Sequence, residues 1–259
     1  MSGRQRLAAA ILLLLASACP MMDACSTVMI IPRCDNSWRD GELVFLGKAV
    51  ARLGGEKPLP NGNTEITDYE FHFAPVEIFR GASKDAKELV VYTGHGGGDC
   101  SKPFIVGATY LVYARTIDGR LKAGGVPAAM AGGTLRELRA IASGERVDDL
   151  FGSIWVGSEY GSMEDQVKSK ALANIVVRAI GRRGASFSAM TDEHGAYAFA
   201  KLPAGKYRIE ASGPSGLLVG QFPAYVKTGK GGGTGCRIDA WSPVAGESSM
   251  RAPAPGSRH

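Results

Sequence analysis

Five cysteines and four histidines are the residues of this chain with the widest chemical reach. The cysteines are Cys19, Cys25, Cys34, Cys100 and Cys236, and no two of them stand in a C-x-x-C spacing. The histidines, His72, His95, His194 and His259, are equally dispersed. A metal site is not expected from such spacings. His95 and Asp99 offer two ligands within the glycine loop GHGGGD at 94–99, which falls short of a metal site. The same loop is no phosphate cradle, because no Lys-Ser/Thr pair follows it and no helix begins there. No G-x-S-x-G elbow is present for Ser-His-Asp chemistry. The four imidazoles are expected on the surface. The residue types therefore point to no catalytic site, no metal and no cofactor, and the chain is not expected to be an enzyme.

What cysteines do depends on compartment, and the first 24 residues bear on that. Arg4 and Arg6 form a charged front, and LAAAILLLLA at 7–16 is an apolar core too short to span a membrane. This reads as a signal peptide with two competing processing points. One precedes Cys19, after Ala16-Ser17-Ala18, a stretch that also looks like a loose bacterial lipobox and makes Cys19 a candidate for lipidation. The other lies between Ala24 and Cys25. No later run reaches the roughly 18 apolar residues of a membrane helix, so no second anchor is expected. The mature chain is expected outside the cytoplasm: in the periplasm, on the outer membrane as a lipoprotein, or secreted. There, thiols oxidise. Cys34 and Cys236 either pair with each other or stand as buried thiols.

Formal charge is +5. Loss of Arg4 and Arg6 leaves 28 basic against 25 acidic residues, or +3, and loss of Asp23 as well makes it +4. A charge so small and scattered argues against nucleic acid as a partner. Hydrophobic content of 45% with 35 glycines suits a turn-rich globular β protein.

The elements that must position any site follow from periodicity. LVFLGKAVA at 43–51 and IVGATYLVYA at 105–114 are apolar nearly throughout and read as strands. Tyr69, Phe71 and Phe73 alternate with Glu70 and His72, and Pro75 shifts the phase to Val76 and Ile78, which predicts a bulge. Residues 89–93 and 121–123 are further strands, and 54–63 is a Gly/Pro/Asn loop. Thr134 to Glu137 reads as a capping box, with Leu135, Leu138, Ile141 and Ala142 as a helical stripe ended by Gly144. The expected division is a signal peptide at 1–24, a barrel at 25–145, a sandwich at 150–242 and a disordered tail at 243–259. In the second half, strands are expected at 154–156, 175–179, 217–226 and 236–241, with a polar loop at 157–170.

The second half centres on TDEHGAYAFAKLPAGKYRIE at 191–210. Asp192 and Gly195 make a turn, Tyr197 and Phe199 share one strand face, and Leu202, Tyr207 and Ile209 complete an inward set. This stretch resembles the carboxypeptidase regulatory-like module, a small transthyretin-like β-sandwich. The resemblance implies a binding module and no peptidase activity, since the zinc-binding catalytic domain has no counterpart here. The first half is similar to the netrin-like module, the OB-type barrel shared with tissue inhibitors of metalloproteinases. The likeness rests on the Cys lead, VFLGKAV, YEFHFAPVEIFRG, and Cys100 ahead of F-x-x-G-x-x-YLVYA. It implies a Cys25–Cys100 disulfide pinning the lead onto the barrel.

The fold class expected is therefore mainly β: an OB-type barrel with one C-terminal helix, then a small antiparallel sandwich. The function expected is non-catalytic binding or scaffolding at the cell envelope, with the regulatory-like sandwich contacting protein or polysaccharide. Barrel rim loops at 54–63 and 94–99 are further contact candidates. The alternative implied by the resemblance is a metalloproteinase inhibitor in which Cys25, as the mature first residue, chelates the target's zinc. The chain departs from that family's Cys-x-Cys opening, because Ser26 and Thr27 follow Cys25.

Overall fold

The two most apolar runs each hold a strand that is covered on both faces, over 43–47 and 110–114. The computed structural model describes residues 41–94, 103–157, 162–212, 218–226 and 236–242. In it, β1 (Leu43–Pro58), β2 (Thr64–Arg80), β3 (Leu89–Thr93), β4 (Thr109–Ile117) and β5 (Arg120–Pro127) close a barrel in the order β1-β2-β3-β5-β4. All neighbours are antiparallel except β3 and β5, which meet in parallel at Tyr92 and Lys122. This is the OB-type arrangement.

Tyr110, Val112 and Ala114 of β4 point into the barrel with Phe45, Phe71, Phe73 and Phe104. The rings meet edge to face: Phe104 lies 5.0 Å from Phe73, 5.3 Å from Phe71 and 4.9 Å from Tyr110. Val44 and Leu46 of β1 and Leu111 of β4 face the other way and are equally buried. Helix α1 (Gly132–Ala142) covers them with Leu135 and Leu138.

The expected bulge near Pro75 is present. Leu46 pairs with Glu77 and Gly47 with Pro75, so Val76 is skipped and stands 67% exposed. The strand expected from 105 begins at Thr109, because Gly107 donates its N–H to Ala49 O and Ala108 donates to Ile105 O in a turn.

The capping box is corrected. The helix starts at Gly132, two residues before Thr134, and Thr134 is buried within it. The unsatisfied donor at its first turn is met from outside: Gly133 N–H donates to Ser153 Oγ at 2.9 Å. Glu137 reaches forward to the Asp148 N–H at 2.8 Å and makes no contact back to Thr134. The helix does end as expected, with Gly144 N–H donating to Ile141 O.

Ser153 belongs to β6 (Leu150–Val156), the middle of the first sandwich sheet. Strand β10 (Ala196–Phe199) and the short β7 (Lys170–Ala171) pair with β6 antiparallel. The short strands β13 (Cys236–Arg237) and β14 (Ala240–Ser242) pair with it in parallel. The second sheet is β12-β11-β8-β9, made of β8 (Val176–Ile180), β9 (Ser186–Met190), β11 (Gly205–Ser212) and β12 (Leu218–Val226). Between the sheets lie Leu150, Ile154, Val177, Tyr197, Phe199, Leu202, Tyr207 and Ile209, which includes the whole inward set expected from the sequence.

The turn before β10 also forms as read. Asp192 Oδ1 accepts from His194 N–H and Ala196 N–H, both at 2.9 Å. The buried Thr191 hydroxyl accepts from Ile175 N–H and donates to Leu172 O, which anchors the turn to the chain ahead of β8.

The segment at 157–170, expected as a loop, contains the short helix α2 (Met163–Gln166), capped by Ser162 Oγ. Met163 explains it: its side chain, with Val167 beside it, packs into the barrel core. Phe151 of β6 joins Leu135, Leu138, Val44 and Leu46 in a third cluster. The expected boundary at 144–149 thus runs between α1 and β6, and apolar side chains cross it on both sides. Among the described residues no helix is long and apolar enough to cross a membrane.

Candidate contact surface

Strand β1 is far longer than its place in the barrel requires. β4 pairs with it only from Leu43 to Lys48, and β3 pairs with β2 only from Tyr69 to Phe73. Among the described residues, β1 and β2 go on pairing with each other past those limits, out to Pro58 and Thr64. The ribbon is therefore two-stranded where Glu56 to Pro58 pair with Thr64 to Ile66, a short arm over 55–68; Arg52 to Gly54, at its root, pair with Phe71 to Tyr69, which β3 also holds. The loop expected at 54–63 is thus corrected to strand over 54–58, with the turn confined to 59–63. The polar, β-branched run Thr64-Glu65-Ile66-Thr67 is good strand sequence and was the available signal.

The arm closes at 59–63, where Leu59 N–H donates to Asn63 O at 2.7 Å, Gly62 N–H to Leu59 O at 3.0 Å, and Asn63 N–H to Asn61 Oδ1 at 3.0 Å. Gly54 and Gly55 both have positive φ, 75° and 101°, where the β1–β2 register slips. A β-carbon on Gly55 would lie 2.3 Å from the Tyr69 ring, so glycine lets the arm turn close over that ring. Arg52 covers Tyr69 at 4.9 Å, and Tyr69 meets Phe71 edge to face at 6.2 Å. The arm's root is thereby tied to the barrel core. Val50 and Leu53 are about half exposed, at 46% and 54%.

Next to the root, the outer face of β2, β3 and β5 carries an alternating chain of charges. Lys122 is paired with Asp68, and Arg120 lies 3.7 Å from the same carboxylate. Arg120 also covers the Tyr92 ring at 5.2 Å. Tyr92 OH donates to Glu70 at 2.9 Å, Glu70 meets His72 Nε2 at 2.9 Å, and Glu88 meets His72 Nδ1 at 2.8 Å. Both ring nitrogens face acceptors, an arrangement that only the imidazolium satisfies in full. The Glu88 hydrogen bond, then that of Glu70, raises the His72 pKa above the ordinary imidazole range. The Tyr92 hydrogen bond, then that of His72, lowers Glu70.

His72 was expected on the open surface; its side chain is only 20% exposed, held between its two carboxylates. Glu70-x-His72 on one strand face was the legible half of this cluster, whereas Glu88 arrives from another strand's approach. The arrangement does not suit a metal, because the carboxylates sit on opposite ring nitrogens. Among the described residues no group of three His, Cys, Asp or Glu could hold one. His194 is on the exposed turn.

Cys19, Cys25, Cys34 and Cys100 lie outside the described residues, as do His95, Asp99 and His259. Cys236 opens β13, with its backbone paired to Leu150. Both expected disulfides therefore involve residues outside those described. Compared with known proteins, the chain matches no protein-family model and no curated protein.

Proposed function

We propose that this chain is a non-catalytic exported binding or scaffolding protein of the cell envelope. The observation that carries the reading is the arm at 55–68. A two-stranded ribbon with no third strand is marginal on its own in water. Here its three ladder pairs, Glu56 to Pro58 with Thr64 to Ile66, are braced at the root by Arg52, Tyr69 and two glycines. Among the described residues no third strand pairs with either of its edges. Such an edge suits strand addition by an extended protein segment, and its flanking polar face suits a polysaccharide.

The leader residues Arg4, Arg6 and 7–16 support export. The resemblances to a netrin-like barrel and a regulatory-like sandwich support a binding role. In this reading the sandwich braces the barrel through α1.

The test shortens the arm. Replacing 57–65 with Asn-Gly joins the paired residues Glu56 and Ile66 by a two-residue hairpin turn. The variant is expected to keep its cooperative unfolding transition. Its retention on envelope protein or polysaccharide fractions should drop at least about tenfold, worth about 1.4 kcal/mol. Unchanged retention would refute the assignment. Intact mass of protein from its native host addresses the metalloproteinase-inhibitor reading. An acylated Cys19 would exclude it, since Cys25 would then have no free amine.

A further inference from the structure

Glu137 has no part in the surface described above. It lies in the middle of α1, is 1% exposed, and ranks with the largest fully buried side chains. Its Oε2 accepts from Asp148 N–H at 2.8 Å, while its Oε1 has no hydrogen-bond partner. Arg136 Nε stands 3.9 Å from that oxygen, but Arg136 NH2 is engaged by Asp148 Oδ2 at 3.0 Å. Two carboxyl groups thus share one guanidinium.

Asp148 belongs to the segment between α1 and β6, and that segment is held on its other side by the sandwich. Asp149 N–H donates to Phe199 O, and Leu202 N–H donates to Asp149 Oδ2 at 2.9 Å. Glu137, with Arg136 beside it, therefore ties the helix to the strip of chain that enters the sandwich.

We infer that Glu137 is a proton-operated latch at this junction, closing it when neutral and loosening it when ionised. Neutral, its O–H can donate to the Asp148 carboxylate, while its other oxygen keeps the Asp148 N–H. Ionised, it places a second negative charge beside Asp148 in a dry site, where burial penalises charge. Swinging 145–149 off the helix lets both carboxylates reach water.

The charged groups acting on Glu137 are Arg136 from its own helix and Asp148 from the segment. Arg146 is closed on Asp149 at 3.1 Å. From β6, the Ser153 hydroxyl meets Gly133, and from β2, Glu77 is taken by Arg139 on the exposed flank. Burial, reinforced by the Asp148 carboxylate, pushes the Glu137 carboxyl up to about 7, against the pull of the Asp148 N–H and Arg136. A buried acid that holds its proton more tightly than an exposed one stabilises the closed form fully below the ordinary carboxyl range. That contribution is lost as pH rises through about 7.

The test is amide hydrogen exchange across 145–149 in the full chain from pH 5 to 8, corrected for intrinsic exchange rates. In the wild type, the open population should grow about tenfold per pH unit up to the folded-state value and then level off. Glu137→Gln keeps an acceptor for Asp148 N–H and should be flat. Asp148→Asn removes the competing carboxylate and should move the levelling-off to lower pH. A flat wild type, or a Gln variant as pH-dependent as the wild type, would overturn the inference. Should Glu137→Gln fail to fold, an unmoved profile in Asp148→Asn would overturn it as well.

Discussion

Gly133→Ala is expected to destabilise the chain by about 2 kcal/mol, the middle of the range for an overpacked contact. Helix propensity alone argues the reverse, since alanine in place of a helical glycine gains about 1 kcal/mol. Steric contact decides the sign. A β-carbon on Gly133 would sit 2.3 Å from Gly152 O and 2.5 Å from its carbonyl carbon. Both are backbone atoms of the central strand β6, so no side chain can rotate aside. The helix would have to lift from the sheet. Lifting would break the Gly133 N–H to Ser153 bond and open the cluster of Leu135, Leu138 and Phe151. Gly124→Ala in β5 is the control: its β-carbon would meet nothing within 4 Å. Chemical denaturation of both variants checks the prediction. Equal midpoints would mean that the helix is not seated on β6 at this distance.

Phe199→Ala should cost more, about 3–5 kcal/mol, the usual range for truncating a buried phenylalanine. Its ring lies between the sandwich sheets, 6% exposed and 6.1 Å from Tyr197. Its own carbonyl holds Asp149 N–H, so the cavity would open beside the entry to β6. Whole-domain stabilities are of the order of 5–15 kcal/mol, so this one loss approaches unfolding. Arg208→Ala, on the outer side of β11, should be nearly silent. Its ion pair with Glu210 at 2.8 Å is on the surface, and such pairs contribute about 0–1 kcal/mol. Matching effects from the two substitutions would show that the strand phase is inverted.

Periodicity made much of this fold legible. The run at 197–211 alternates within each of its two strands, and every inward residue read from it lies in the core. The runs at 43–51 and 105–114 show little alternation because β1 over 43–47 and β4 over 110–114 are covered on two sides, by the barrel interior and by α1, while Val50 and Val106 are about half exposed. Their strand character was readable from length and apolarity, but what covered the second face was not.

The features that escaped the sequence all depend on distant partners. Thr134 and Glu137 have capping-box spacing, yet the helix takes its cap from Ser153 and gives Glu137 to Asp148. Met163 looks like part of a polar loop until the barrel interior is placed beneath it. Gly54 and Gly55 read as loop residues, whereas they sit at a register slip inside a longer ribbon. The arm was missed for that reason, and with it the surface on which the functional reading rests.

Site-specific photo-crosslinking in the native host tests that reading most directly. A photoreactive residue at Leu53 samples the arm's root, one at Pro60 its closing turn, and one at Arg208 the outer side of β11. Discrete adducts with envelope protein or polysaccharide should form from the two arm positions and not from Arg208. Adducts from Arg208 with none from the arm would contradict the account, and would move the contact surface to the sandwich.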